Sequence, residues 1–164
     1  MKKKSLIVVF IFALSLVFAE VVCAKSKSAP AANATAVWTF INAADYSHKW
    51  KMWPGSEALH PGAEPHGTMV TTYVNSSAFN AIKRKKGKMP YGAVIVIENY
   101  TKNKKLKTVD VMYKVKGFNP RGGDWYWVQF KVNGKALAEG KIDECIKCHE
   151  AQKKNDYVWS SKLK

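Results

Sequence analysis

Between Ala93 and Val132 three apolar-rich segments follow one another across short turns, with no room for a crossover helix between them. Parallel neighbours need a connection of a dozen or more residues, so these segments are confined to an antiparallel sheet. Ala93 to Asn99 is a continuous apolar run, the pattern of a central strand covered on both sides. Ala93, Ile95 and Ile97 share one face, and Val94, Val96 and Glu98 the other. From Leu106 the pattern alternates strictly, Val109, Val111, Tyr113 and Val115 against Thr108, Asp110, Met112 and Lys114, which predicts a half-exposed strand. Trp125 to Val132 predicts a last strand with Tyr126, Val128, Phe130 and Val132 on one face, closed by the hairpin signal Asn133-Gly134.

Upstream, Val37, Ile41 and Ala44 recur at helical spacing behind Thr35, which could cap a short opening helix. Trp50, Met52 and Trp53 form an apolar patch ended by Pro54-Gly55, and 56–65 reads as a loop. His66 to Asn75 is rich in β-branched and aromatic residues and predicts a strand. Ser76 or Ser77 can cap a helix that buries Ala78, Phe79 and Ile82 and ends near Gly87. Ile142 to Lys153 predicts a final helix. Strands joined by short turns and flanked by helices give an α+β class, an antiparallel sheet packed with helices.

The amino terminus has a different character. Met1-Lys2-Lys3-Lys4 precedes an uncharged apolar stretch from Leu6 to Ala19, and the small-residue site Val22-Cys23-Ala24 follows. The stretch is shorter than the ~20 residues that cross a bilayer, so 1–24 reads as a signal peptide cut after Ala24, with a cut after Ala19 as second choice. Export to a bacterial periplasm or equivalent compartment is the expectation. Residues 25–35, without apolar period, read as a mobile leader, and 36–164 as one domain.

The formal charge is +15, and losing three lysines and Glu20 with the signal lowers it to +13. The excess is scattered lysine with one dense run, Lys83-Arg84-Lys85-Lys86-Gly87-Lys88. A nucleic-acid surface would want arginines and aromatics on a basic face of a chain that is not exported. The run reads as a solvated helix end, with docking on an acidic redox partner or an anionic membrane surface as the functional alternative.

Removing Cys23 leaves Cys145 and Cys148, with two residues between them and His149 next. A disulfide across so short a loop constrains little of the unfolded chain. Zinc wants four ligands, and only His48, His60 and His66 could complete a set. A thioredoxin-type pair needs a βαβ context that is missing. Two residues between cysteines, with histidine next, suit thioether attachment of one haem c by Cys145 and Cys148, with His149 as axial iron ligand. Candidates for the opposite side of the iron are Met52, Met69, Met89, Met112, His48, His60 and His66. A sixth ligand would suit electron transfer, and its absence would admit small ligands such as NO.

Four stretches in this order resemble the family of cytochrome P-460 and cytochrome c′-beta. They are His66-Gly67 before Val70-Thr71-Thr72-Tyr73-Val74-Asn75, the Pro90-Tyr91-Gly92 turn with Ala93 to Asn99, Gly123-Asp124-Trp125, and the C-terminal cysteine motif followed by Asp156-Tyr157-Val158-Trp159. The resemblance spans about Trp50 to Trp159 and implies an antiparallel sheet with helices, a five-coordinate haem c on His149, and often a homodimer. Its enzymic members oxidise hydroxylamine with a haem cross-linked to a lysine, and the aligned strand puts Ile97 at that position. Isoleucine has no nitrogen to form the bond, so an oxidoreductase acting on hydroxylamine is disfavoured. An apolar Ile97 on the distal side is similar instead to the gas-binding cytochrome c′-beta branch, for which Phe79 and Tyr91 are candidate cap residues.

Overall fold

The computed structural model describes residues 29–164. The expected signal peptide and leader residues 25–28 lie outside the described residues. Helix α1 (Ala34–Ala43) and the single turn α2 (Tyr46–Lys49) lead into two-residue strands β1 (Lys51–Met52) and β2 (His60–Pro61). Then come β3 (Met69–Val74), α3 (Ser76–Lys83), β4 (Val94–Tyr100), β5 (Leu106–Lys114), β6 (Trp125–Lys131), β7 (Ala136–Gly140) and α4 (Asp143–Glu150). The seven strands form one antiparallel sheet in the order β1-β3-β4-β5-β6-β7, with β2 also on β3. The α+β class follows directly.

Alternation along the central strands gives the sheet two buried faces. Val94, Val96, Val109, Val111, Tyr126, Val128 and Phe130 pack beneath α1, where Val37 and Ile41 are almost fully buried. Trp38 meets Phe130 with ring centres 4.8 Å apart. Ala93, Ile95, Met112, Trp125 and Trp127 pack on the opposite face with α3 and the C-terminal segment, and Ile97, Cys145 and Ile146 border them. Burying one such aliphatic or aromatic side chain contributes about 1.5–3 kcal/mol. Glu98, on the α1 face, accepts from Tyr46 Oη at 2.9 Å and Tyr100 Oη at 2.6 Å, which compensates its burial.

Several boundaries differ from expectation. Asn33, not Thr35, caps α1 by accepting from the Ala36 N–H, and the Pro30 carbonyl accepts from Tyr113 Oη. The domain's own contacts therefore begin ahead of residue 36. Asn75, not Ser76 or Ser77, caps α3: its Oδ1 accepts from Ala78 N–H at 3.0 Å and from Val94 N–H at 3.2 Å. That second bond ties the helix to β4, which a serine beyond it would not reach. His66 lies ahead of β3 rather than in it, α4 stops at Glu150, and β1, β2, α2 and β7 were not anticipated. The expected half-exposed strand β5 is covered on both sides along its second half, where Val111, Met112, Tyr113 and Lys114 are all buried. The lysine run 83–88 is exposed apart from Gly87, as a solvated helix end should be.

Candidate functional site

On α4, Cys145 and Cys148 are three residues apart and so share a helix face, with His149 one step further on. Asp143 and Glu144 in the first turn and Lys147 in the last complement the helix dipole. Both thiols are free. Burial, helped by the charge of Asp110, pushes the half-buried Cys145 thiol up to about 11. Cys148 is exposed.

His149 is buried, and burial lowers its pKa against an opposing hydrogen bond to the Tyr157 carbonyl. The Nδ1 to carbonyl distance is 2.7 Å. A carbonyl can only accept, so Nδ1 carries the proton and Nε2 keeps a lone pair for an electrophile. The carbonyl is fixed from several directions. Asp156 and Tyr157 sit at φ 56° and 66°, in the left-handed region that L residues seldom enter. Lys114 Nζ meets Asp156 Oδ1 at 2.6 Å, the Met89 N–H donates to Oδ2 at 2.8 Å, and Trp125 Nε1 donates to the Asp156 carbonyl at 2.8 Å. Tyr157 Oη donates to the Arg121 carbonyl at 2.7 Å. These bonds hold an unfavourable backbone in place and aim its carbonyl at the imidazole.

Two adjoining cavities of about 380 and 260 Å³ open beside α4. Both are walled by Pro65, His66, Ile97, Met112, Cys148 and His149. Val70, Thr72 and Ile95 extend the first; Cys145, Trp127 and Asp110 extend the second. Such volumes and a largely apolar lining suit a cofactor-sized ligand. At the shared wall His66 Nδ1 lies 2.9 Å from Asp110 Oδ2, which also accepts from Asn99 Nδ2 at 2.7 Å, while Gln129 Nε2 donates to Oδ1 at 2.9 Å.

Of the seven residues considered for the far side of an iron, Met112, His60 and His66 line the cavities. Met52 is exposed, Met69 pairs with Tyr100 at the sheet, Met89 is buried near Asp156, and His48 is exposed beside Asp45. Ile97 lines both cavities, and Glu98 is on the opposite face. Tyr91 is not a cap: it is exposed, with its hydroxyl donated to Asp124. Phe79 packs beside the core rather than lining either cavity. Asp110, Trp127 and the Tyr157 carbonyl were not foreseen as part of the site.

The residues present fit a haem. Thiols one helical turn apart, an imidazole with its outer nitrogen engaged, and an apolar double cavity are the parts such a group requires. Trp127 Nε1 is buried with no hydrogen-bond partner, and its ring centre is 4.7 Å from that of His149. An orphaned donor costs about 1–3 kcal/mol, which an acceptor on a bound cofactor would offset. Among the described residues there is no cluster of three or more His, Cys, Asp or Glu placed to hold a bare metal ion.

The profile of the Cytochrome P460 family matches residues 43–160, a span that takes in β1 to β7, α4 and every wall of both cavities. No curated protein matches the chain. The chain therefore belongs to the cytochrome P460 family and is a haem-binding protein.

Proposed function

We propose that this is an exported mono-haem c protein that takes a small uncharged gas molecule such as NO at its iron. Cys145 and Cys148 carry the haem through two thioethers, and His149 is its axial ligand. One observation carries the gas-binding reading: Val70, Ile95, Ile97 and Met112 make the sheet side of the cavity apolar where hydroxylamine-oxidising relatives are expected to place a lysine. The haem, when bound, supplies an iron that exchanges electrons and accepts a lone pair. The chain's own residues decide what reaches it. His149 is oriented by donating Nδ1–H to the Tyr157 carbonyl, which strengthens Nε2 as a donor. Ile97 has no nitrogen for a third covalent link, and the aliphatic wall disfavours anions, which would lose hydration without gaining partners.

A second reading, electron transfer through a six-coordinate haem, rests on His66 standing in the same cavity wall as His149. The exposed lysine run then supplies a docking field for an acidic redox partner. Titrating the ferrous protein with CO and NO tests the gas reading. A shifted Soret band that saturates at one ligand per haem is the expected result, and an unchanged spectrum refutes it. Haem peptides should carry two thioethers and no third link.

A further inference from the structure

We infer that His66 is a second axial ligand of the haem iron, standing opposite His149 and giving up its place when a gas molecule binds. The inference rests on the haem c reading above and says what guards the second side of that iron.

The ring centres of His66 and His149 are 6.3 Å apart with their planes at 86°. With metal–nitrogen bonds of about 2 Å and a ring centre roughly 1.2 Å behind each Nε2, two imidazoles on opposite sides of one metal have centres about 6.4 Å apart. The observed gap is that of a pair with one metal atom between them. The rings stand edge to face, toward the far end of the ~4.5–7 Å range of such pairs.

Both histidines are prepared in the same way. Each has Nδ1 engaged, His149 by the Tyr157 carbonyl and His66 by Asp110 at 2.9 Å, and among the described residues neither Nε2 has a hydrogen-bond partner. Pairing Nδ1 with a carboxylate fixes ring orientation and makes Nε2 a stronger donor. A chance surface ion pair would not explain the rest of the network. Asp110 is only 16% exposed and takes further hydrogen bonds from Asn99 and Gln129, while Asn99 Oδ1 accepts from the Gly67 N–H next to His66. Two strands and the loop that carries His66 thus converge on one carboxylate.

Rival donors are less well placed. His60 bonds the Glu57 carbonyl through Nδ1 and lines only the cavity away from Cys145. Met112 lines both cavities too, but it is packed into the sheet's core cluster, with no hydrogen-bonded support like that of His66. His66 lines both cavities, as does His149. Replacement by a gas exchanges one donor atom for another, with no change in oxidation state.

The test uses holoprotein matured with haem in the periplasm of an expression host. Ferric wild type is expected to be low-spin with bis-imidazole signals in electron spin resonance. His66→Ala should retain covalent haem by mass, turn high-spin, and return to low-spin on adding imidazole; His48→Ala should stay low-spin. Ferrous wild type should bind CO at a rate that levels off with CO concentration, because His66 must leave first. In His66→Ala the rate should rise linearly, with apparent affinity about tenfold tighter or more, the factor lost when under a tenth of molecules are competent. A high-spin wild type that binds CO overturns this inference and leaves the gas-binding function standing. A low-spin wild type whose His66→Ala form refuses CO and NO upholds the ligation and refutes the function. A His66→Ala form that stays low-spin overturns the inference, and a thioether charge-transfer band in it would put Met112 in that position.

Discussion

Replacing Lys114 with methionine tests whether the buried pair beneath the site governs both stability and the proximal histidine. The Lys114 and Asp156 side chains are 6% and 5% exposed and 2.6 Å apart. Removing the ammonium leaves a carboxylate in the core to which, among the described residues, only the Met89 N–H still donates, at its other oxygen. Breaking a buried pair in this way costs about 3–5 kcal/mol, a large part of the ~5–15 kcal/mol that holds a domain together. Lys114 also lies 4.7 Å above the Trp125 ring, and that contact adds up to about 2 kcal/mol of loss that has nothing to do with Asp156. A double-mutant cycle separates the two. Asp156→Asn keeps an acceptor for the Met89 N–H, so Lys114→Met/Asp156→Asn should recover about 1–3 kcal/mol relative to additivity. Denaturant unfolding of holoprotein, followed by tryptophan fluorescence, measures each arm. Since Asp156 immediately precedes the carbonyl that orients His149, the single variant should also disturb the haem spectrum before unfolding begins. A cost under about 1 kcal/mol, or an additive cycle, would refute the reasoning.

Other perturbations have equally definite outcomes. Cys145→Ser with Cys148→Ser should yield protein whose mass lacks haem after acid–acetone extraction, whereas Ile97→Leu should keep covalent haem with an unchanged count of two thioethers. In haem-free protein made in the cytoplasm, iodoacetamide should modify exposed Cys148 ahead of Cys145 at pH 8, and Cys145 should catch up as pH approaches its value of about 11, because only the thiolate reacts. Equal rates at pH 8 would count against the burial of Cys145. Gly123→Ala puts a Cβ 2.7 Å from Tyr157 Cδ2 at a residue with φ +69°, so it should cost about 1–3 kcal/mol by thermal unfolding and shift the haem spectrum through Tyr157.

How much of this was legible depended on how far apart in the chain each cause lies. Strands β4 and β6 and their faces follow from period-two alternation, and the cysteine motif is local, so both could be placed from sequence. Strand β7 could not: Ala136–Gly140 is an exposed edge that buries almost nothing and is defined by its pairing with β6. The Asn133-Gly134 turn was the only hint, and it marks a hairpin without saying how long the returning strand is. The caps were misplaced by one or two residues because Asn33 and Asn75 each stand just ahead of another good capping residue, Thr35 or Ser76, and composition does not choose between them. His66 was one of seven equal candidates because its partner Asp110 is 44 residues away.

The error on β5 is the instructive one. Thr108, Asp110, Met112 and Lys114 look like the solvent side of a half-exposed strand, since two of the four are charged. That face instead lies under the cavities, and its charges are compensated by groups from distant segments. Asp110 fixes His66, and Lys114, four residues along the same face, fixes Asp156 and through it the carbonyl that orients His149. Four residues of strand span about 13 Å. One rigid central strand, paired along its length with β4 and β6, therefore anchors the supports of both histidines. The distance between the two rings is set by the sheet rather than by the loop and helix that carry them. That ties the gap to a strand paired along both edges, which is where a site that must receive a flat, rigid cofactor without rearranging would be expected to take its measure.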